Sequence, residues 1–246
     1  MRVADYIFCT LADFGADTVF LVTGGGAMHL NDALGREKRL RYICNLHEQA
    51  CAIAAEGYAR VRNKPGILCV TTGPGGTNAI TGVVGACLDS IPMIVISGQV
   101  KRSMTIAVCP ELNLRQLGDQ ELNIIDIVKP ICKYAEMITE VADIKPALEK
   151  AWQESISGRP GPVWLDIPLD IQAATMPEEL LQEKVSVPEK LVTEAFDEQV
   201  ELALQKLLQA KRPVIMAGGG IRYAEAEKHL LELVEKRLIP VLSSIS

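Results

Sequence analysis

Three short runs of the chain are apolar at consecutive positions and end at glycine, and they restrict the fold more than any other feature. They read TVFLVTG at 18–24, GILCVTTG at 66–73 and PMIVISG at 92–98. A strand with one face in water alternates apolar and polar residues, whereas these runs are apolar on both faces. Strands of this kind are typical of a parallel sheet covered by helices on both sides. The sequence therefore predicts an α/β fold.

Helical patterns separate the strands and predict where the chain divides. Residues 173–192 lack a strong period and hold two prolines, which favours a linker between a first domain at 1–172 and a second α/β pattern at 193–246. The second pattern contains two predicted strands, fewer than a parallel sheet needs. We therefore expect an incomplete Rossmann-like domain and a natural polypeptide that continues past Ser246. The predicted helices of the first domain are 2–14, 27–34, 47–62, 77–88 and 143–157.

Composition excludes several classes of protein. The formal net charge is −6 and no stretch is rich in Lys or Arg, which argues against nucleic acid or an anionic membrane as a partner. Asp5 and Asp13 interrupt the first apolar stretch, and no run of 18 apolar residues occurs. Seven scattered cysteines without a CxxC pair indicate reduced thiols. We therefore expect a cytoplasmic protein.

Three glycine-rich turns follow predicted strands. They are Gly24-Gly25-Gly26, Gly73-Pro74-Gly75-Gly76 and Gly218-Gly219-Gly220. None fits the G-x-G-x-x-G or P-loop pattern, so each turn alone is more typical of structure than of ligand binding. The first two, however, share the carboxyl edge of the predicted sheet, where α/β proteins bind ligands.

Glu48 stands at the start of a predicted helix whose one face is built of small residues. Cys51, Ala52, Ala55 and Ala59 share that face with it, and the positive end of the helix dipole favours a carboxylate there. A buried carboxylate needs a hydrogen-bond partner, and a ligand nitrogen would supply one. The alternative, a glutamate that simply faces water, stays open on these features.

Four ordered segments carry a resemblance to a known family. They are FLVTGGGAMHLNDAL, HEQACAIAAEGYAR, TTGPGGTNAITGVVGACLDSIPMIVISGQV and SGRPGPVWLDIPLD. Together they resemble the thiamine-diphosphate enzymes of the acetolactate synthase (acetohydroxyacid synthase) type. The likeness covers residues 1 to about 170 as the pyrimidine-binding domain, and 193–246 resemble the start of the central domain.

The resemblance implies roles for individual residues. Glu48 holds the place of the glutamate that hydrogen-bonds a ring nitrogen of the cofactor's aminopyrimidine, and Gln99 is expected near the reacting centre. The implied reaction is decarboxylation of a 2-keto acid, pyruvate above all, with transfer of the two-carbon unit to an acceptor. The residues expected to bind the cofactor are Thr23, Gly24, Gly25, Glu48, Thr71, Pro74, Gly75 and Asn78.

The resemblance also implies partners that these residues do not themselves supply. Mg²⁺ would bind through a diphosphate-binding domain absent from the 246 residues, no metal site is predicted here, and the use of FAD in the central domain is left open. We expect the fragment alone to be inactive. A homodimer or tetramer is implied, with the small-residue helices at its interface, although internal packing of those helices stays an alternative.

One departure from the family keeps a second activity open. The family's Phe-Gln-Glu is replaced by Asp119-Gln120-Glu121, after a longer loop. An acid in place of the aromatic residue favours another thiamine-diphosphate lyase or transferase with a different keto acid. A non-catalytic nucleotide-binding module is a third reading, and it would require the chain to end naturally at Ser246.

Overall fold

The computed structural model describes residues 1–182, 187 and 197–244. The chain divides into two compact units, Met1–Leu191 and Val192–Ser246. Among the described residues, no helix combines the length and the apolar composition that crossing a bilayer requires.

A six-stranded parallel sheet forms the centre of the first unit, as predicted. Its strand order is β2-β1-β3-β4-β6-β5. The four inner strands are buried at every residue, whereas the edge strands β2 and β5 are partly exposed. The strands are β1 (Thr18–Leu21), β2 (Arg41–Cys44), β3 (Gly66–Val70), β4 (Met93–Gln99), β5 (Tyr134–Met137) and β6 (Pro162–Pro168).

Helices cover both faces of this sheet, which explains why its inner strands are apolar throughout. Ile67 and Cys69 of β3 join the core under helices α1, α2 and α6, and the alternate residues Leu68 and Val70 are buried on the opposite side, where α3 and α4 pack. The helices of the first unit are α1 (Val3–Asp13), α2 (Met28–Arg36), α3 (Glu48–Arg62), α4 (Pro74–Asp89), α5 (Ile124–Val128), α6 (Ile144–Ile156), α7 (Leu169–Ala173) and α8 (Glu178–Gln182).

Two differences from the predicted elements have local causes. Helix α4 begins at Pro74, three residues earlier than predicted, because proline at the first helical position fits the helical backbone and needs no N–H partner. Strand β5 was not predicted. It is a four-residue edge strand and carries too few residues to show a pattern.

The predicted linker at 173–192 begins with residues that pack on the first unit. Thr175 forms an antiparallel bridge with Arg2, and Met176 is buried, with its N–H donating to the carbonyl of Met1 at 2.9 Å. Residues 183–186 and 188–192 of the predicted linker lie outside the described residues.

The described part of the second unit contains two strands, as predicted. They pair in parallel, with Ile215 opposite Val241. Its described elements are α9 (Asp197–Gln209), β7 (Ile215–Ala217), α10 (Gly220–Tyr223), α11 (Glu227–Arg237) and β8 (Val241–Ser243).

Candidate active site

The turns that follow β1, β3 and β4 lie against one another at the carboxyl edge of the sheet. A β-carbon at position 24 would stand 2.4 Å from Cβ of Thr71, and one at position 98 would stand 2.1 Å from the carbonyl oxygen of Gly26. The Thr72 hydroxyl donates to the Gly98 carbonyl at 3.0 Å. Only glycine permits such close approach. The turns that the sequence places at one edge of the sheet are therefore packed directly against one another.

Helix α3 begins at this edge, with Glu48 as its first residue. His47 caps the helix, because its extended backbone places Nδ1 3.1 Å from the N–H of Gln49, from which it accepts. Glu48 therefore lies where the helix dipole favours a negative charge. The histidine therefore has a structural role in the fold.

The Glu48 carboxylate is held on one side and open on the other. Its Oε2 accepts a hydrogen bond from Nδ2 of Asn78 on α4 at 3.0 Å. Its Oε1 lies 3.5 Å from the place that a β-carbon on Gly75 would occupy, and none of the described residues donates a hydrogen bond to it. The side chain is half-buried. One carboxylate oxygen is therefore available to a ligand donor.

The small residues that share a face of α3 with Glu48 pack inside the chain. Cys51, Ala52, Ala55 and Ala59 are buried, and a β-carbon on Gly82 of α4 would lie 2.5 Å from Cβ of Ala52. Burial raises the pKa of the Cys51 thiol to about 11, so that thiol stays protonated at neutral pH. This face of α3 is thus internal, the alternative that the sequence left open, and any contact between chains must use the opposite face.

Gln99 belongs to a second, fully buried hydrogen-bond cluster. Its Nε2 donates to Oδ2 of Asp166 at 3.0 Å and to the carbonyl of Leu122 at 2.8 Å. Asp166 also accepts from the Ser97 hydroxyl at 2.5 Å, and Ser97 accepts from Nε1 of Trp164 at 2.7 Å. Burial raises the pKa of Asp166 to about 7, and its hydrogen bonds from Ser97 and Gln99 limit the rise.

Sequence reasoning missed the role of Asp166. Asp166 lies inside β6 and is 1% exposed. The available signal was an acidic residue inside the apolar run VWLDIP. A buried carboxyl requires partners, and these come from residues 67 and 69 positions away in the chain.

The long loop after β4 closes back on the glycine turns. The carbonyl oxygen of Gln120 would lie 2.1 Å from a β-carbon on Gly73. Glu121 is buried and accepts from the N–H groups of Ile106 at 2.6 Å and Leu117 at 2.8 Å. Asp119, in the same loop, is exposed. These contacts therefore hold the loop against the glycine turns.

The structure connects five of the predicted site residues and places Gln99 in a different cluster. Gly24 and Gly75 pack against Thr71, Gly75 lies beside Glu48, and Glu48 binds Asn78. Three more predicted residues are exposed at the same turns, namely Thr23, Gly25 and Pro74. Gln99 makes its hydrogen bonds in the Asp166 cluster.

Two acidic residues outside the turns pair with arginine. Asp170, which follows β6 at this edge, binds Arg102 at 2.8 Å, and Asp89, at the far end of α4, binds Arg60. Across the described part of the chain, no group of three or more histidine, cysteine or acidic side chains is arranged to hold a metal ion.

Family models match both units of the chain. Residues 1–125 match the model described as "Thiamine pyrophosphate enzyme, N-terminal TPP binding domain". The chain belongs to the thiamine pyrophosphate enzyme family. Residues 200–246 match the model for the central domain of the same family.

Curated relatives of this thiamine pyrophosphate family member are acetolactate synthases. The chain is 37% identical to the large subunit from Lactococcus lactis over 96% of this chain and 40% of the relative. It is 35% identical to that of Corynebacterium glutamicum, over 100% and 38%, and 36% identical to the isozyme 3 large subunit of Escherichia coli, over 98% and 41%. The chain therefore spans about two fifths of the length of these relatives.

Proposed function

We propose that the complete protein is a thiamine-diphosphate-dependent enzyme that decarboxylates a 2-keto acid, pyruvate first, and transfers the two-carbon unit to an acceptor. The observation that carries this proposal is the Glu48 carboxylate. One of its oxygens is fixed by Asn78 and the other faces the glycine turn, in a chain of the thiamine pyrophosphate family. The curated relatives named acetolactate synthase support the reaction class.

The residues at the turns fit an aminopyrimidine ring. Such a ring carries nitrogen donors and a flat face, and Glu48 offers an unpaired acceptor oxygen beside the side-chain-free surface of Gly75. Thr71 and Asn78 border the same space, and the exposed Thr23, Gly25 and Pro74 complete its proposed rim. Thiamine diphosphate, when bound, supplies the electron sink that decarboxylation of a 2-keto acid requires.

Each protein group has a defined task in this proposal. Glu48 holds a proton at the ring nitrogen, and Asn78 keeps the carboxylate turned toward the ring. Gly24 and Gly75 let the backbone of both turns pack directly on Thr71, because a β-carbon at either position would collide with its side chain. Gln99 is proposed to lie near the reacting centre, where its amide is fixed by Asp166 and Leu122.

A second copy of the chain would complete the site. Glu48 is half-buried in one chain, whereas proton transfer in a protein site is favoured by exclusion of water. The outer faces of α3 and α4 expose Ile53, Val61 and Leu88 at 49%, 72% and 69%, and a contact between chains would bury these side chains. We therefore include a homodimer, or a tetramer built from it, in the proposal.

Further parts of the proposal rest on the family alone. They are Mg²⁺ bound through a diphosphate-binding domain, FAD in the central domain as an open choice, and a cytoplasmic location. By the same reasoning, the 246 residues without further domains are expected to lack activity.

A different keto acid or acceptor is a second candidate. It is favoured by Asp119, which stands where the family has phenylalanine, and by the long structured loop that precedes it. The experiment that tests both candidates uses the complete protein with thiamine diphosphate and Mg²⁺. Carbon dioxide release is measured across a panel of 2-keto acids, and products are identified by mass spectrometry. Release from pyruvate with a two-carbon transfer product supports the first candidate. Release from another acid supports the second, and no release from any acid contradicts both.

A further inference from the structure

The loop after β4 lines a cavity of about 330 Å³ beside the proposed site residue Gln99. Sites for small molecules commonly measure about 300–1,000 Å³, so the cavity is large enough for a ligand. Most of its wall is apolar and comes from the loop, with one residue from β5. These apolar residues are Ile106, Ala107, Pro110, Leu114, Leu122 and Met137.

The cavity adjoins the glycine turns at the carboxyl edge of the sheet. Gln99 lines it and directly follows Gly98, which touches the carbonyl of Gly26. Glu121 also lines it and directly follows Gln120, whose carbonyl lies against Gly73. Two residues that line the cavity are therefore chain neighbours of residues packed against the glycine turns.

The charge of the lining distinguishes between classes of ligand. None of the described residues that line the cavity is lysine, arginine or histidine. The carboxylate of Glu121 is already bound by two backbone N–H groups. The nearby Arg102 is bound to Asp170 and Glu140. A carboxylate ligand would lose its hydration here without gaining a cation, which is costly.

The polar groups of the lining suit a neutral oxygen. The Gln99 amide is fully engaged by Asp166, Leu122 and the N–H of Val100. Asn113 lies at the end of a short helical turn. Among the described residues, no hydrogen bond involves its side-chain amide, so this amide is available to a ligand. That amide can donate to a carbonyl or hydroxyl oxygen.

We propose that this loop cavity binds the acceptor of the carbon-transfer reaction, and that the acceptor is an uncharged aldehyde or ketone larger than pyruvate. The inference rests on the proposed function. In the reaction, the bond between the donor's carboxylate and carbonyl carbon breaks and carbon dioxide leaves. The electron pair left on the carbonyl carbon forms a bond to the acceptor's carbonyl carbon, and the acceptor oxygen takes one proton.

The first test compares acceptors and two matched variants in the complete protein. Pyruvate is the donor, and cyclohexanone or benzaldehyde competes with 2-oxobutanoate as acceptor. Ala107 lines the cavity, whereas the adjacent Val108 does not. We expect the uncharged probes to be used at least about tenfold better, and Ala107→Phe to lower kcat/KM for them about tenfold or more. Val108→Phe is expected to leave both transfer and the release of carbon dioxide from pyruvate at their wild-type rates.

The second test is independent of turnover and uses the wild-type protein. Cys109 lines the cavity and is half-buried, so site-resolved mass spectrometry can follow its alkylation by iodoacetamide. We expect cyclohexanone to slow alkylation of Cys109 at least about threefold, with no change at the exposed Cys44, and pyruvate to leave both rates unchanged.

The outcomes separate this inference from the proposed function. Decarboxylation that yields mainly products of anionic acceptors, with no effect of Ala107→Phe, overturns the cavity assignment and leaves the proposed function standing. Absence of any decarboxylation, with Cys109 still protected by the ketone, contradicts the proposed function and leaves a binding site. Lack of protection at Cys109 overturns the cavity assignment in either case.

Discussion

Asn78 on α4 donates a hydrogen bond from Nδ2 to Oε2 of Glu48 on α3, across 3.0 Å. The two residues are 30 positions apart in the chain, and the bond crosses the junction of the two helices that flank the glycine turn. It leaves Oε1 of Glu48 facing Gly75. The bond therefore fixes which carboxylate oxygen is available at the proposed cofactor site.

Replacing Asn78 with alanine tests this positioning. A hydrogen bond to a charged group contributes about 1.5–3 kcal/mol, so we expect Asn78→Ala to slow exchange of the thiazolium C2 proton of bound thiamine diphosphate about tenfold or more. Exchange into deuterium oxide is followed by NMR. Thr81→Ala, an exposed position on the same helix, is the control and should exchange at the wild-type rate. Equal exchange rates in the two variants would show that Asn78 does not position the Glu48 carboxylate.

Gly82 and Gly57 form a matched pair for the packing of α3 on α4. A β-carbon at Gly82 would lie 2.5 Å from Cβ of Ala52, whereas one at Gly57 meets nothing within 4 Å. We expect Gly82→Ala to lower the free energy of unfolding by about 1–3 kcal/mol. Gly57→Ala should raise it by about 0.5–1 kcal/mol, because alanine favours the helix. Urea unfolding measures both, and a neutral Gly82→Ala would show that the helices separate easily.

The raised pKa of Asp166 predicts that the free energy of unfolding depends on pH. Its folded-state pKa of about 7 is above the ordinary value of 3.8 because the group is buried. The folded state therefore binds the proton more tightly than the unfolded state, so this contribution to stability is complete below about pH 4 and is lost as the pH rises through about 7. From about pH 5 to pH 8, wild type should lose roughly 3 kcal/mol relative to Asp166→Asn, which does not titrate. Parallel urea midpoints for the two proteins over this range would refute the buried titration.

The outer faces of α3 and α4 predict a change in assembly. Ile53→Asp and Leu88→Asp would each place a charge in the proposed interface, so we expect either one to weaken self-association of the complete protein about tenfold or more. Ile127→Asp is the control, since Ile127 is 44% exposed on α5. Sedimentation velocity over a range of concentrations measures the change. Dimers of unaltered strength in Ile53→Asp and Leu88→Asp would exclude this surface.

Much of the fold could be predicted because its signals are local. Runs such as GILCVTTG identify strands buried on both faces, and α3 ends where Asn63 adopts the left-handed backbone (φ 53°) that asparagine tolerates. Edge strand β5 could not be predicted, because four residues with mixed exposure carry no period. The start of α4 at Pro74 depends on the Gly73 turn before it, where φ is +56°.

The candidate site also has parts that local sequence predicts and parts that it does not. Glu48 is identifiable from its place before a small-residue helix face and from the family resemblance. Its partner Asn78 was expected at the site, but the bond between them depends on how α3 and α4 pack. The Asp166 cluster and the loop cavity depend on contacts between distant segments, such as Ile106 with Glu121. Local patterns do not reveal such contacts.

The most direct measurement is the rate at which the C2 proton of thiamine diphosphate exchanges in the complete protein carrying Glu48→Gln. Glutamine keeps the size of the side chain and cannot hold the proton at the ring nitrogen, so we predict exchange slower by about a hundredfold or more. Glu56→Gln, on the same helix but paired with Arg60, should exchange at the wild-type rate. Exchange in Glu48→Gln at the wild-type rate, with the cofactor bound, would contradict the account.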